Sequence, residues 1–246
     1  MKTITLNQTK QWLKTSQHPL PRVLFRSAKT LLQVELPAPK FMLSTLYTIY
    51  CLLRALFTML TRILCWTPLF KGRLESVGRN LYLYGGLPYV SGPIRIQLGD
   101  NCRFSGHTTL SGRSASRSAP LLLIGNNVDI GWMTTIAVGS RVEIGENVRI
   151  AGRALLAGYP GHPLDAKARA MGLPDTDGQI GDIILEKDVW LATGVSVIGG
   201  VRIGQGTIVA AGSIVTHDLP PRVLAGGVPA RVIRPLEPSD NIEKEA

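Results

Sequence analysis

The sequence predicts an all-β core, a left-handed parallel β-helix, preceded by a helical, apolar and basic N-terminal extension. Three observations predict it. Leu185, Leu191, Val197, Ile203, Val209 and Val215 stand six residues apart. The residue four places after each of the first five is small or β-branched: Val189, Val195, Val201, Thr207 and Ser213. Upstream, residues 41–70 are almost uncharged, with Arg54 and Arg62 as the exceptions.

The period has a physical cause. One face of a triangular coil takes about six residues, a short strand and a turn. The aliphatic residue fills a narrow interior, and the small one fits the tight inner corner. Gly or Ala right after the aliphatic residue, as at Ala192, Gly204 and Ala210, tolerates the turn. An amphipathic helix repeats every 3.6 residues and does not hold a strict six.

The extension spans residues 1–75. His18-Pro19 and Pro21 suggest a turn, and Pro37-Ala38-Pro39 marks a boundary before a helix. In that helix Lys40, Ser44, Tyr47, Cys51, Arg54, Thr58 and Thr61 alternate by four and three, a more polar stripe on one face. The uncharged run from Phe41 to Leu53 is shorter than the roughly 20 residues of an ordinary span. A transmembrane hairpin would leave Arg54 and Arg62 in need of partners. The expectation is a helix lying in the membrane interface, with Trp66 and the tyrosines at headgroup level. Packing of the same helix on the rod, or on neighbouring copies, is the alternative.

Charge supports the membrane reading. Of the net +10, all the excess lies in residues 1–73, which hold eleven Lys and Arg and one acid, Glu35. The remainder holds sixteen residues of each sign, which argues against a basic groove for nucleic acid. Lys29, Lys40, Lys71 and Arg73 would attract anionic lipid to residues 40–73. Cys51, Cys65 and Cys102 have no metal or redox spacing and suit a reducing compartment. No secretory signal is evident. The expected location is cytoplasmic, peripheral on the inner face of the cytoplasmic membrane.

The β-helix is expected over 76–236. Leu98, Phe104 and Leu110 open it, then Ile124, Ile130 and Ile136, then, after a shift of two residues, Ile144, Ile150 and Leu156. Ser111–Pro120 breaks the pattern and reads as a surface loop. A second break, about 158–181, holds Pro160, Gly161, Pro163, Gly172, Pro174 and Gly178 and reads as a loop ejected from the rod. Residues 237–246 read as a flexible acidic tail.

Of four histidines, His162 lies in that second loop, in Gly161-His162-Pro163-Leu164-Asp165, with Arg169 following. Neutral imidazole suits removal of a hydroxyl proton near pH 7, and ejected loops often carry function. The plain alternative is a solvated loop histidine. No metal is expected, because the histidines lack the spacing of a three-histidine zinc site.

From about Leu98 to Arg234 the chain resembles the maltose and galactoside O-acetyltransferases of the hexapeptide-repeat family, which neighbour its xenobiotic branch. Gly161-His162-Pro163, Arg169, Asp188-Val189-Trp190-Leu191, the run Ile208–Thr216 and Gly226-Gly227-Val228-Pro229-Ala230-Arg231-Val232-Ile233-Arg234 carry the resemblance, in the family's order. It implies a homotrimer, acetyl-CoA as cosubstrate, a saccharide acceptor and His162 as general base. Trp190, Thr193, Ala211, Thr216, Arg231 and Arg234 are implied on the cofactor side. Arg169, and Asp165 by its place beside His162, are candidates at the loop, and Trp132 is a candidate at the acceptor.

Three features depart from the family. His217 stands where a Lys is common, and Gly131-Trp132-Met133 occupies the region of an acceptor-positioning Asn. The resemblance does not reach residues 1–75. The expected reaction is acetyl transfer to a sugar hydroxyl, on a surface polysaccharide or lipid-linked precursor. N-acetylation of an amino sugar, O-acetylation of serine and a non-catalytic scaffold are the alternatives.

Overall fold

The computed structural model describes residues 6–35 and 37–237, so the expected acidic tail lies, beyond Glu237, outside the described residues. Contacts divide the chain between Arg54 and Ala55. The first strand of the β-helix begins later, at Ser76.

The first unit contains α1 (Leu6–Thr15), α2 (Pro19–Leu31) and most of α3 (Lys40–Thr61). Pro19 opens α2, where its fixed φ suits the first helical turn. The Pro37-Ala38-Pro39 boundary holds, since α3 starts at the next residue.

α3 runs on through a π-helical turn, Arg62–Trp66, into α4 (Thr67–Arg73). Pro68 accounts for the widened turn: it has no N–H for the Leu64 carbonyl and its ring crowds that oxygen. The Thr67 N–H bonds instead to the Arg62 carbonyl, five residues back. The continuous helix, Lys40–Arg73, has 34 residues, far more than the uncharged run within it. Among the described residues it is the one helix long and apolar enough to cross a membrane, by length and composition alone.

Within the second unit this helix is two-faced. Thr58, Thr61, Arg62 and Trp66 are partly buried, and Phe70 is fully buried. Leu56, Phe57, Leu60, Ile63, Leu64 and Leu69 are exposed. The Phe70 ring lies 5.8 Å from Phe104, tilted by 54°. The Arg62 guanidinium sits 4.3 Å above the Tyr82 ring, where the ring's negative face attracts it. The helix end thus closes the start of the rod.

The described residues form six complete coils: 76–91, 95–112, 121–138, 141–157, 183–198 and 201–215. Each gives one short strand to each of three parallel sheets. Residues six apart take successive faces of one coil, and each face then stacks in register on the same face of the next coil, as Leu191 does on Val209. Leu110, Ile136, Leu156, Val197 and Val215 form one interior stack, and Phe104, Ile130, Ile150, Leu191 and Val209 another. All are buried. The two-residue shift before Ile144 lengthens the third-sheet strand to Thr135–Val138 and buries Val138 as well.

The edge between the first and second sheets turns at Asn80, Asn101, Asn127, Asn147 and Asp188, all at positive φ. Asn and Asp tolerate this conformation. Their side chains also bond along the edge, Asn127 to Asn147 and Asn147 to Asp188, each at 2.9 Å. At the far end Val223–Gly227 joins the second sheet, and Ala230–Pro235 folds back antiparallel against it.

Candidate active site

Both ejected loops leave the rod at the edge between the third and first sheets. The shorter follows the strand Thr109–Gly112, and the longer joins Leu155–Ala157 to Ile183–Leu185. His162 is exposed near the start of the longer loop, beside buried Pro163. Its main-chain carbonyl accepts a hydrogen bond from Gln179 Nε2 at 3.1 Å. Asp165 caps α5 (Ala166–Ala170), accepting from the Ala168 N–H at 2.8 Å. Arg169 Nη1 donates to the Pro163 carbonyl at 2.9 Å and the Leu164 carbonyl at 2.5 Å. Asp165 and Arg169 therefore shape the loop around His162.

The two loops are joined by an ion pair that sequence spacing does not reveal. Arg113 Nε and Asp175 Oδ1 are 2.6 Å apart, with side chains 4% and 3% exposed. Arg113 Nη2 also donates to the Asp175 carbonyl at 2.6 Å, and Nη1 to Asp177 at 2.8 Å. The hydrogen bond to Asp175 raises the already high pKa of the guanidinium further, against the opposing effect of burial. The residues lie 62 apart, across two breaks in the repeat, so no periodicity links them.

The implied cofactor residues lie elsewhere on the rod. Thr193 and Ala211 turn the edge between the second and third sheets, on neighbouring coils, and the Gly212 N–H donates to the Thr193 carbonyl at 2.9 Å. The N–H groups of Ala192, Gly194, Ala210 and Gly212 are engaged in backbone bonds. Those of Thr193 and Ala211, on exposed residues, have no backbone acceptor among the described residues. Trp190 is half exposed on the second sheet. Arg231 and Arg234 lie on that sheet's last strand, with no carboxylate partner among the described residues. Thr216 lies beyond the last third-sheet strand, its hydroxyl 2.8 Å from Nδ1 of His217.

Trp132 is exposed on the Thr193 edge, two coils earlier. Its indole lies against Gly152, where an added Cβ would stand 2.5 Å from the ring. The Arg153 guanidinium is 5.9 Å from the ring centroid. One chain thus gathers Trp132, Thr193 and Ala211 along one edge and His162 on another, with the third sheet between them. Among the described residues no group of three His, Cys, Asp or Glu is placed to hold a metal ion.

No family model matches the chain. The galactoside O-acetyltransferase of Escherichia coli is 38% identical over 117 residues, 48% of this chain and 55% of that protein. The enzyme of the same name from Lactococcus lactis is 37% identical over 107 residues, 44% of this chain and 46% of its own length. The chain spans about half the length of the curated relatives it matches. Among solved structures, a variant of AntD, an N-acyltransferase from Bacillus cereus, superposes with a TM-score of 0.57 at 25% identity. The match covers 70% of this chain and 89% of that one, which was crystallised with dTDP-4-amino-4,6-dideoxyglucose and coenzyme A. These relatives are acyltransferases, and the fold is that of the hexapeptide-repeat group.

Proposed function

We propose that the protein is an acetyl-CoA-dependent O-acetyltransferase that modifies a sugar hydroxyl, with His162 as general base. The observation that carries the reading is the ejected loop. It presents an exposed histidine from a rigid rod, and its local sequence is shared with the galactoside O-acetyltransferase resemblance. The imidazole takes the hydroxyl proton as the oxygen attacks the thioester carbonyl. A tetrahedral oxyanion forms, and a free N–H at Thr193 or Ala211 stabilises it. The carbon–sulfur bond then breaks, and the imidazolium returns its proton to the departing CoA thiolate. Arg231 and Arg234, which among the described residues meet main-chain carbonyls and no carboxylate, are suited to CoA phosphates.

The separation of His162 from Thr193 and Ala211 supports assembly of the site between copies. A loop from one copy then faces the cofactor edge of the next, in a homotrimer. The exposed apolar face of the long helix and the basic extension support attachment to an anionic membrane surface. A lipid-linked saccharide or surface-polysaccharide precursor is the acceptor class that such a location favours.

The likeness to AntD favours a second reading, N-acetylation of an amino sugar. One experiment separates the two. Purified protein is incubated with acetyl-CoA and extracted lipid-linked saccharides, free CoA is measured, and the product is treated with hydroxylamine. Wild type should release CoA only with acceptor, and His162→Ala should lose at least 100-fold, the range of general-base catalysis. Hydroxylamine removes an acetyl ester and leaves an amide. Equal CoA release by wild type and His162→Ala refutes the role of His162.

A further inference from the structure

We propose that Arg113 is a positioning residue for the proposed transfer: paired with Asp175, it fixes the loop that presents His162. The inference rests on His162 being the base. The pair holds the loop at its root and at its return. Besides meeting Arg113, the Asp175 carboxylate accepts from the Gly161 N–H at 3.1 Å, through its second oxygen. Gly161 directly precedes His162, so one carboxylate ties Arg113 to the backbone beside the base. Gln179, two residues past Asp177, holds the His162 carbonyl. The Thr176 N–H in turn donates to Gln179 Oε1 at 3.1 Å. The Arg113 main-chain N–H bonds to the Val138 carbonyl at 3.0 Å, so the backbone that carries the guanidinium is anchored on the rod. The Tyr159 hydroxyl, 3.2 Å from the Ser111 hydroxyl, ties the root of the longer loop to the strand that precedes Arg113.

This arrangement differs from a surface ion pair. Removing one partner leaves a buried charge, and the loop must move to hydrate it. His162 has no side-chain hydrogen bond of its own among the described residues, so its place depends on its backbone. A misplacement of about 1 Å can cost on the order of 100-fold in rate. The loop contains Lys167 and Arg169, both exposed, so its docking can also be read without turnover.

The test compares wild type with Arg113→Met, Arg113→Lys, Asp175→Asn and His162→Ala. The readouts are kcat, acetyl-CoA affinity, circular dichroism and the rate of tryptic cleavage within 158–182. The expected result is a kcat at least tenfold lower in Arg113→Met and Asp175→Asn. Acetyl-CoA affinity should stay within twofold, because Thr193, Ala211, Arg231 and Arg234 are held by the coils and the last strand and not by the loop. Cleavage after Lys167 or Arg169 should be faster, and Arg113→Lys should recover part of both effects. A wild-type kcat in Arg113→Met, with His162→Ala inactive, overturns the inference and leaves the base assignment standing. Parallel loss of kcat, acetyl-CoA affinity and circular dichroism signal, without rescue by Lys, also overturns it, since the pair would then support only the fold. A fully active His162→Ala overturns both readings.

Discussion

Phe70 offers a direct test of how the apolar helix and the rod are joined. Its side chain is 1% exposed, with its ring against Phe104 in the second coil. Replacing it by Ala removes most of a buried aromatic ring at the end of a stack of short coils, where the helix otherwise offers only the partly buried Trp66. Truncation of a buried Phe to Ala costs about 3–5 kcal/mol. At roughly 2–4 °C per kcal/mol for a chain of this size, the melting temperature should fall by about 6–20 °C. Phe70→Leu keeps an apolar plug and loses the ring pair, so it should cost less, about 1–2 kcal/mol. Leu69→Ala is the control, because Leu69 is 62% exposed. The assay is thermal unfolding by circular dichroism at the same protein concentration for every variant, which removes any effect of self-association on the midpoint. If Phe70→Ala melts with Leu69→Ala, the helix end does not cap the rod and the packing argument fails.

Two further predictions concern stability. At Gly106 an added Cβ would stand 2.2 Å from the Gly86 carbonyl carbon, so Gly106→Ala should destabilise by about 1–3 kcal/mol or more. At Gly72, in α4, a Cβ meets nothing within 4 Å, so Gly72→Ala should stabilise by up to about 1 kcal/mol; urea midpoints of the two variants should move in opposite directions. The second concerns acid. A hydrogen bond from Arg95 lowers the Glu75 pKa, the Arg79 N–H lowers that of Asp100, and Arg202 lowers that of Glu186. Folded values below unfolded ones give stability that is complete above the ordinary values, 3.8 for Asp and 4.5 for Glu, and lost as pH falls through the folded values. Melting temperature against pH should therefore be flat down to about pH 5 and fall below it. Glu186→Gln should shallow the fall, and an unchanged profile would refute the assignment.

The interior of the rod was legible because one constraint acts on every coil. Each aliphatic residue from Leu185 to Val215, and each small corner residue from Val189 to Ser213, is buried as the six-residue spacing requires. The breaks at Ser111–Pro120 and 158–181 were visible as departures from that rule, although Ser111 and Gly112 still pair in the third sheet and the first loop starts at Arg113. What the loops do to each other was not. Arg113 and Asp175 meet through irregular chain, where no period relates sequence distance to spatial distance. Phe70 was hidden for a different reason: it sits in an apolar segment where almost any residue could be the inward one. The turn at His18-Pro19 was legible, but the helices on either side of it carried no repeat to announce them. For the site, the sequence named residues on two edges and could not place them relative to each other, because edge identity depends on the number of residues in each turn.

Arg113 follows the second coil, and the loop that brings Asp175 to it leaves the fourth. Neighbouring strands lie about 4.8 Å apart, so the ion pair bridges a rise of roughly 10 Å. That makes it a ruler. Repeat proteins commonly change length by duplicating or deleting units, and each unit added here would carry the longer loop another ~4.8 Å along the rod. An arginine has no such reach to spare. The stretch between residues 113 and 158 is therefore fixed in coil number, whereas a coil inserted between 198 and 201 would leave the ruler unread. Length variation in proteins built on this plan should collect beyond the loop, toward the C-terminal end.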